Sequence, residues 1–544
     1  MVVSNDSTPK SKPKAVQYNK ALEGKPIREV IVKQYPVLGA SIDDPYPEKL
    51  NWLSKTGNKL HVDTRIDVLK SFMVLGTTVD SLEIQDSERL LRTQSFIDEA
   101  RIDIEQIDGT DSVNVVLNVR DSWSTQLEAS PDALDSYDIS LAENNLLGLG
   151  HELVTNVTIS SETRSNYDFW SAYRIRNIFH EFINFEVRYL NREQEKGSAI
   201  KLDRDFVTQD INLAGAVSWS KKDFQRRSTL DSDLRYSYTQ EEIDVWGGWA
   251  FRAKRFKKFR RNIITSAKIN RSVYLEKPSE ENLHALEYQD HFLLLGSISL
   301  LERNYAEVRN VYNIDIVEDL PLGFVTKATF GQQFRDSGNR IYAAVDMTTA
   351  FQFKKKSYLF FRAAAGSFFR ASDAEEAVVL GEANFISNAF SGAKHRMRQY
   401  INFRYKIGIN QLPGRFLTFN NIDEIISLSG DDYNGKERLL LNIENIYFSN
   451  RKFLGYRIAA TLHMDMALIT DGSSNLFREK LYYGIGGGVK LRNDRIIFKT
   501  ISLKMTYYPA IDNHTEQFPF RISFVFTRPI NDFRNVSPTI LKFD

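Results

Sequence analysis

The sequence predicts a mainly β protein, a closed antiparallel barrel that spans a bilayer behind one small α+β domain. Three observations lead there. After Trp123, apolar and polar residues alternate with a period of two for about 400 residues, in segments of about ten or more. The chain of 544 residues is 42% hydrophobic, yet it holds no apolar run of the roughly 20 residues that a membrane-crossing helix needs. Aromatic residues reach 12%, with 24 Tyr and 36 Phe, which suits girdles at both lipid–water interfaces.

Charge and cysteine usage narrow the classes further. A net charge of +1 sets up no global field toward nucleic acid or an anionic surface. The chain has no cysteine, which excludes disulfides and thiolate metal sites and suits passage through an oxidising periplasm. The start, MVVSNDSTPKSKPK, lacks the apolar core of a signal peptide. A barrel of this kind needs one, so the expectation is that Met1 is an added start on a processed chain.

Residues 1–25 are polar and aperiodic and are expected to be a disordered lead-in. Residues 26–123 read as a compact mixed domain. IREVIVKQY alternates like a strand, and DDPYPEKLNWLSKTGNK follows as a Pro-containing link. Asp63 and Thr64 can cap a helix carrying Ile66, Leu69, Met73 and Val74, closed by Gly76. Asp80 or Ser81 can cap a second helix with Leu82, Leu90 and Leu91 on its apolar side. ARIDIEQI and SVNVVLNV are then strands separated by Asp108-Gly109, a strong hairpin signal. The expected order is strand–helix–helix–strand–strand.

Residues 124–528 are the expected barrel. Val345, Met347, Thr349, Phe351 and Phe353 alternate with Asp346, Thr348, Ala350, Gln352 and Lys354. Ile458, Ala460, Leu462, Met464, Met466 and Leu468 alternate with Arg457, Thr461, His463 and Asp465. Soluble sandwiches alternate too, but these runs are long, and their polar faces carry charges in mid-strand, as a hydrated lumen tolerates. In lipid, an unpaired sheet edge costs several kcal/mol per group, so the strands must close into a ring. Candidate segments number about 16 to 21, and about 16 strands would leave roughly 26 residues each with their connections. The last strand is expected at 520–527, with Phe520, Ile522, Phe524 and Phe526. Pro529 then ends the ladder and leaves 529–544 as a tail, periplasmic or tucked into the lumen.

These residues resemble a known family. Gly76 with Thr77-Thr78-Val79, DSERLLR, Phe96 to Ile102, and VRDSWS are similar to a polypeptide-transport-associated (POTRA) domain. ENNLLGLG, residues 143–150, resembles the Asn-x-x-Gly-x-Gly hairpin that joins the first two barrel strands in that family, and EDLPLG, residues 318–323, resembles another inter-strand signature. Together they resemble the superfamily of bacterial surface antigens that includes the barrel assembly factor and two-partner secretion transporters. The resemblance implies a 16-stranded outer-membrane barrel, a periplasmic POTRA-like domain, and a weak seam between first and last strands. It also implies insertion or export of β-rich proteins without ATP. It further implies an inward-folded extracellular loop carrying Arg-Gly-aromatic. The matching stretch, 425–448, has Ser429 at the arginine position, then Gly430, with Asp431 in place of the aromatic.

Candidate functional residues follow, each with a plainer reading beside it. Asn144, Asn145, Gly148 and Gly150, with Tyr137 and Ile139 in 137–142, would form the seam-side hairpin; Asn and Gly also simply supply the positive φ of a tight turn. The exposed sheet edge would be 101–107, with Ile102 and Ile104, or 27–34. The basic run FRAKRFKKFRRN could bind lipopolysaccharide phosphates or nucleic acid, or form a solvated rim whose Lys and Arg reach headgroups. The rim is the plainer reading, and no nucleic-acid partner is expected for the chain. YYGIGGGVK has strand period rather than a phosphate loop, so its glycines would face the lumen. The eight histidines are scattered, with no His-x-x-x-His or Gly-x-Ser-x-Gly, so no enzyme, metal or cofactor is expected.

The leading expectation is an ATP-independent assembly or secretion factor. It would capture an unfolded β-rich client by strand addition and pass it at the seam. The alternatives are a scaffold barrel among other outer-membrane subunits, which the Ser429 departure suggests, and a diffusion pore.

Overall fold

The computed structural model describes residues 20–44, 52–133, 136–160, 167–227, 235–252, 261–278, 288–314, 316–353, 357–391, 395–419, 430–453, 456–493, 500–509, 520–523, 533 and 536–543. The chain divides into two units, Met1–Ser124 and Thr125–Asp544.

The first unit contains β1 (Ile27–Tyr35), α1 (Trp52–Leu60), α2 (Ile66–Ser71), α3 (Ser81–Arg92), β2 (Ile97–Gln106) and β3 (Val113–Asp121). Its sheet has the order β1-β3-β2, with β1 parallel and β2 antiparallel to β3. The central β3 is buried along nearly its whole length, as its run of valines allows. Leu69, Leu91, Phe96, Val115, Leu117 and Val119 form the core, each full burial contributing about 1.5–3 kcal/mol. Asp80 caps α3 by accepting from the Leu82 amide at 2.7 Å, and Gly109 supplies the positive φ between β2 and β3. Two expectations need correction. The Pro-containing link carries α1, whose Gly57 and Asn58 disguised it. Asp63 and Thr64 do not cap α2; Arg65 precedes that helix without a side-chain cap, and Thr64 turns to Asp121 instead.

In the second unit, strands from Thr125–Ala133 to Phe520–Ser523 pair antiparallel in chain order, and the neighbour order returns from the last to the first. Among the described residues there are twenty-one strand segments, and Asp373–Ile386 and Phe390–Ser391 share one partner, so twenty positions stand side by side. This falls within the about 16 to 21 candidate segments of the sequence and above the 16 that the resemblance implies. The reason lies early in the unit, where strands of 9 to 12 residues, such as Ile183–Asn191 and Tyr167–Ile178, are joined by tight turns. Later strands reach 19 residues, as in His291–Arg309.

The strands are inside out relative to a water-soluble sheet. In Arg340–Gln352, Ile341, Val345 and Met347 are 59%, 54% and 43% exposed, while Arg340, Tyr342 and Thr348 between them are at most 5% exposed. The same alternation exposes Leu462 and buries Thr461, His463 and Asp465, and it exposes Trp249 beside buried Ala250. Oily side chains on the solvent face and charged ones beneath suit a lipid exterior and a polar interior. Among the described residues no helix is long and apolar enough to cross a membrane.

Candidate functional site

The junction of the ring differs from expectation. Its first strand is Thr125–Ala133, and Ser136–Leu146, which carries Tyr137 and Ile139, is second. Pro131 hid the first strand, because proline lacks the N–H that a ladder uses; it sits opposite Tyr137 near the strand end. Tyr137 and Ile139 are exposed on the outer face. The last strand contributes four residue pairs, from Ser502↔Ser523 to Met505↔Phe520, with Ile522 opposite Leu503. Phe524 and Phe526 lie outside the described residues. Elsewhere a ladder reaches nineteen pairs, between His291–Arg309 and Val317–Arg335.

The Asn- and Gly-rich stretch is the turn between the second strand and the third, His151–Ser160. Leu147, Gly148 and Gly150 take positive φ. Asn145 Oδ1 accepts from the Gly150 amide at 2.8 Å, and the Glu143 carboxylate accepts from the Asn145 amide at 3.0 Å. Asn144 and Asn145 are both buried. The turn is therefore stapled by its own side chains.

The EDLPLG stretch also clamps the backbone. Glu318 accepts from the amides of Val311 (2.9 Å), Tyr312 (3.0 Å) and Asn313 (3.0 Å). Tyr358 donates to the Pro321 carbonyl at 2.8 Å. Gly323 has φ +119° and lies so close to the Glu302 carbonyl that a Cβ would clash.

Of the described residues in the stretch 425–448 expected to fold inward, only the part before Glu437 leaves the wall. Gly430–Gly435 pairs with Leu417–Phe419 as a separate two-stranded sheet, while Glu437–Phe453, whose residues alternate like the other long strands, is a strand of the ring. Leu417, Phe419 and Tyr433 are buried in one cluster with inner-wall residues such as Leu440 and Ile469. Ser429 lies outside the described residues. Gly430 and Asp431 fall in the second of these short strands, Gly430 opposite Phe419.

In the first unit, β1 and β2 are the outer strands. The side chains of Ile102 and Ile104 are buried. The Ile102 amide donates to Glu88 at 2.6 Å, and the Ala100 carbonyl accepts from Arg92 at 3.1 Å. Helix α3 thus occupies part of the β2 edge, and β1 is the better candidate for a further strand.

The charges of the inner wall pair across strands, which the sequence could not show. Arg174 binds Glu152 and Glu186, each at 2.6 Å, and Arg176 reaches Glu152 at 2.9 Å. Arg362 grips Asp346 through two bonds of 3.2 and 2.9 Å. Such pairing offsets the cost of removing charges from bulk water. Gly484, Gly486 and Gly488 leave room on this face for Tyr508, His463 and Thr461. The basic run falls largely at 253–260, outside the described residues.

For a metal, the described residues bring together His61, Asp63 and Asp121. Asp121 Oδ2 already accepts from Thr64 N (2.7 Å) and Oγ1 (2.8 Å) and lies 3.2 Å from His61 Nε2. These bonds fasten β3 to the segment between α1 and α2, while Asp121 Oδ1 is buried without a hydrogen-bond partner.

No protein-family model and no curated protein matches the chain. Among solved structures it is similar to CdiB from Escherichia coli, at 10% identity and TM-score 0.43, covering 92% of this chain and 76% of that one. CdiB from Acinetobacter baumannii follows at 9% identity and TM-score 0.40, covering 92% and 74%. BamA from Haemophilus ducreyi lacking POTRA domains 1–3 gives 9% identity and TM-score 0.30, covering 91% and 83%. At this level of similarity no residue role passes from one chain to another.

Proposed function

We propose that the chain is a closed outer-membrane barrel with a periplasmic POTRA-like domain, and that it assembles or transports a β-rich client protein without ATP. The client would add a strand to the open side of β1 and then use the junction between Thr125–Ala133 and Phe520–Ser523. The observation that carries this reading is that junction. There the neighbour order returns from the last strand to the first, and the first contains Pro131, which has no N–H to give to a ladder. The energy would come from the client's own burial of backbone and apolar surface.

The absence of native cysteine gives a clean test. A cysteine at Gln126 is combined with one at each position of Phe520–Ser523 in turn, and the cross-linked strands are compared with the reduced ones. Locking the junction is expected to stop client assembly or export; unchanged client levels in the locked form would reject the proposal. The scaffold reading rests on Ser429, Gly430 and Asp431, where Arg-Gly-aromatic is expected. Stable partner subunits after mild detergent extraction, together with indifference to the lock, would favour it.

A further inference from the structure

The end of the chain lies against the buried face of the second unit's strands. Lys327 Nζ donates to the Ser537 carbonyl at 2.9 Å and to Thr539 Oγ1 at 3.1 Å. The Leu541 amide donates to the Tyr342 hydroxyl at 2.8 Å, and Ser266 reaches the Val536 carbonyl at 3.4 Å. Ser266, Lys327 and Tyr342 all belong to the inward set of their strands, with exposed Phe330 and Ile341 on the opposite face. Val536, Leu541 and Phe543 are themselves buried.

Two glycines make the room. A Cβ at Gly366 would lie 3.2 Å from Leu541 Cδ1, and one at Gly408 would run into the Phe543 ring. Leu541 and Phe543 are two residues apart and join the cluster that holds Leu417, Phe419 and Tyr433 of the inward hairpin. With twenty positions, the last strand ends at the edge of the ring where Thr125 begins. Gly408, in contrast, stands one residue from the end of His395–Ile409, at the edge from which the hairpin folds in. The tail thus runs up the lumen from one edge toward the other.

The tail is held as a guest rather than as part of the wall. Residues 536–543 form no strand, and the polar groups that hold them bind mostly backbone atoms. Releasing them breaks no ladder. Backbone recognition with pockets for alternate side chains is the usual way to bind an extended peptide.

We infer that this groove is a binding site for an extended peptide with apolar side chains two residues apart, and that residues 536–543 are its resident occupant. They close the lumen until a segment of like chemistry displaces them. The inference rests on the membrane-ring part of the reading above and not on client transfer.

Planar-bilayer conductance tests it with the full chain, a chain lacking residues 533–544, and Gly408→Val, which keeps the tail sequence but fills its pocket. Both altered forms are expected to conduct at least about fivefold more than the full chain, as an emptied ring of this size would. A synthetic peptide of residues 533–544 returns the truncated form to low conductance, and the same peptide with Leu541→Ser and Phe543→Ser does not. Unchanged conductance on truncation, or equal block by the two peptides, would overturn the inference. If truncation prevents folding, judged by circular dichroism, Gly408→Val decides. Should no form insert as a folded ring, the membrane reading falls with it; if all insert and only the tail arms fail, the inference falls alone.

Discussion

Glu318 illustrates what a single residue does in this molecule. Its carboxylate gathers the amides of Val311, Tyr312 and Asn313, and the Asn313 side chain donates to it as well, at 3.1 Å. Val311 and Ile314 are buried under this clamp, and Tyr400 donates to the Val311 carbonyl. Glu318→Ala leaves three amides without their acceptor, at about 1–3 kcal/mol each. The expected result is local release: rapid hydrogen exchange and new proteolysis at 311–314 in detergent, with the strand content kept. Protection equal to the parent would show that the clamp is incidental. The sequence marked EDLPLG as a unit, but it could not say what Glu318 holds, because its partners lie upstream in a segment with no pattern of its own.

Among the elements, those with a strong period were legible and those without were not. The long strands near Met347 and Leu462 alternate cleanly and stand where the alternation puts them. Helix α1 hid behind Gly57 and two prolines, and Thr125–Ala133 hid behind Pro131, because a breaker residue outweighs a short pattern. The β2 edge was invisible for another reason. Its occupation by α3 depends on Glu88 and Arg92 reaching across from a helix face. Glu88→Ala removes the acceptor of a buried amide, a loss of about 1–3 kcal/mol. Exchange at Ile102 should quicken in the full chain while Val115 and Leu117 of β3 stay protected. Equal exchange at Ile102 would mean that the edge is already open.

For the whole molecule, the decisive property is the inversion of polarity between face and interior, which the two-residue period made readable. What it did not reveal is the number of strands, since tight turns let short strands pass as one. The inversion makes a direct prediction. Trp249 is 48% exposed on the outer face, so a variant keeping it as the sole tryptophan should be strongly quenched by lipids brominated along their acyl chains. Quenching by aqueous iodide instead would place that face in water. The pairing of inner charges was beyond the sequence, because it depends on the register between neighbouring strands. A tail periplasmic or tucked into the lumen was among the expectations, but the residues that hold it, such as Lys327 and Tyr342, lie about 200 positions away with no local pattern to connect them.

The seating of Phe543 beneath the inward hairpin bears on how this protein is handled. The Phe543 ring leaves no room for even a methyl group at Gly408. On the proposed reading, a bulky label attached at position 543 would hold the segment outside its groove and create a permanently vacated form. Cells carrying that label are expected to become leaky to detergents and large antibiotics, whereas the same label at Asp108, in the turn between β2 and β3, would leave their envelope tight.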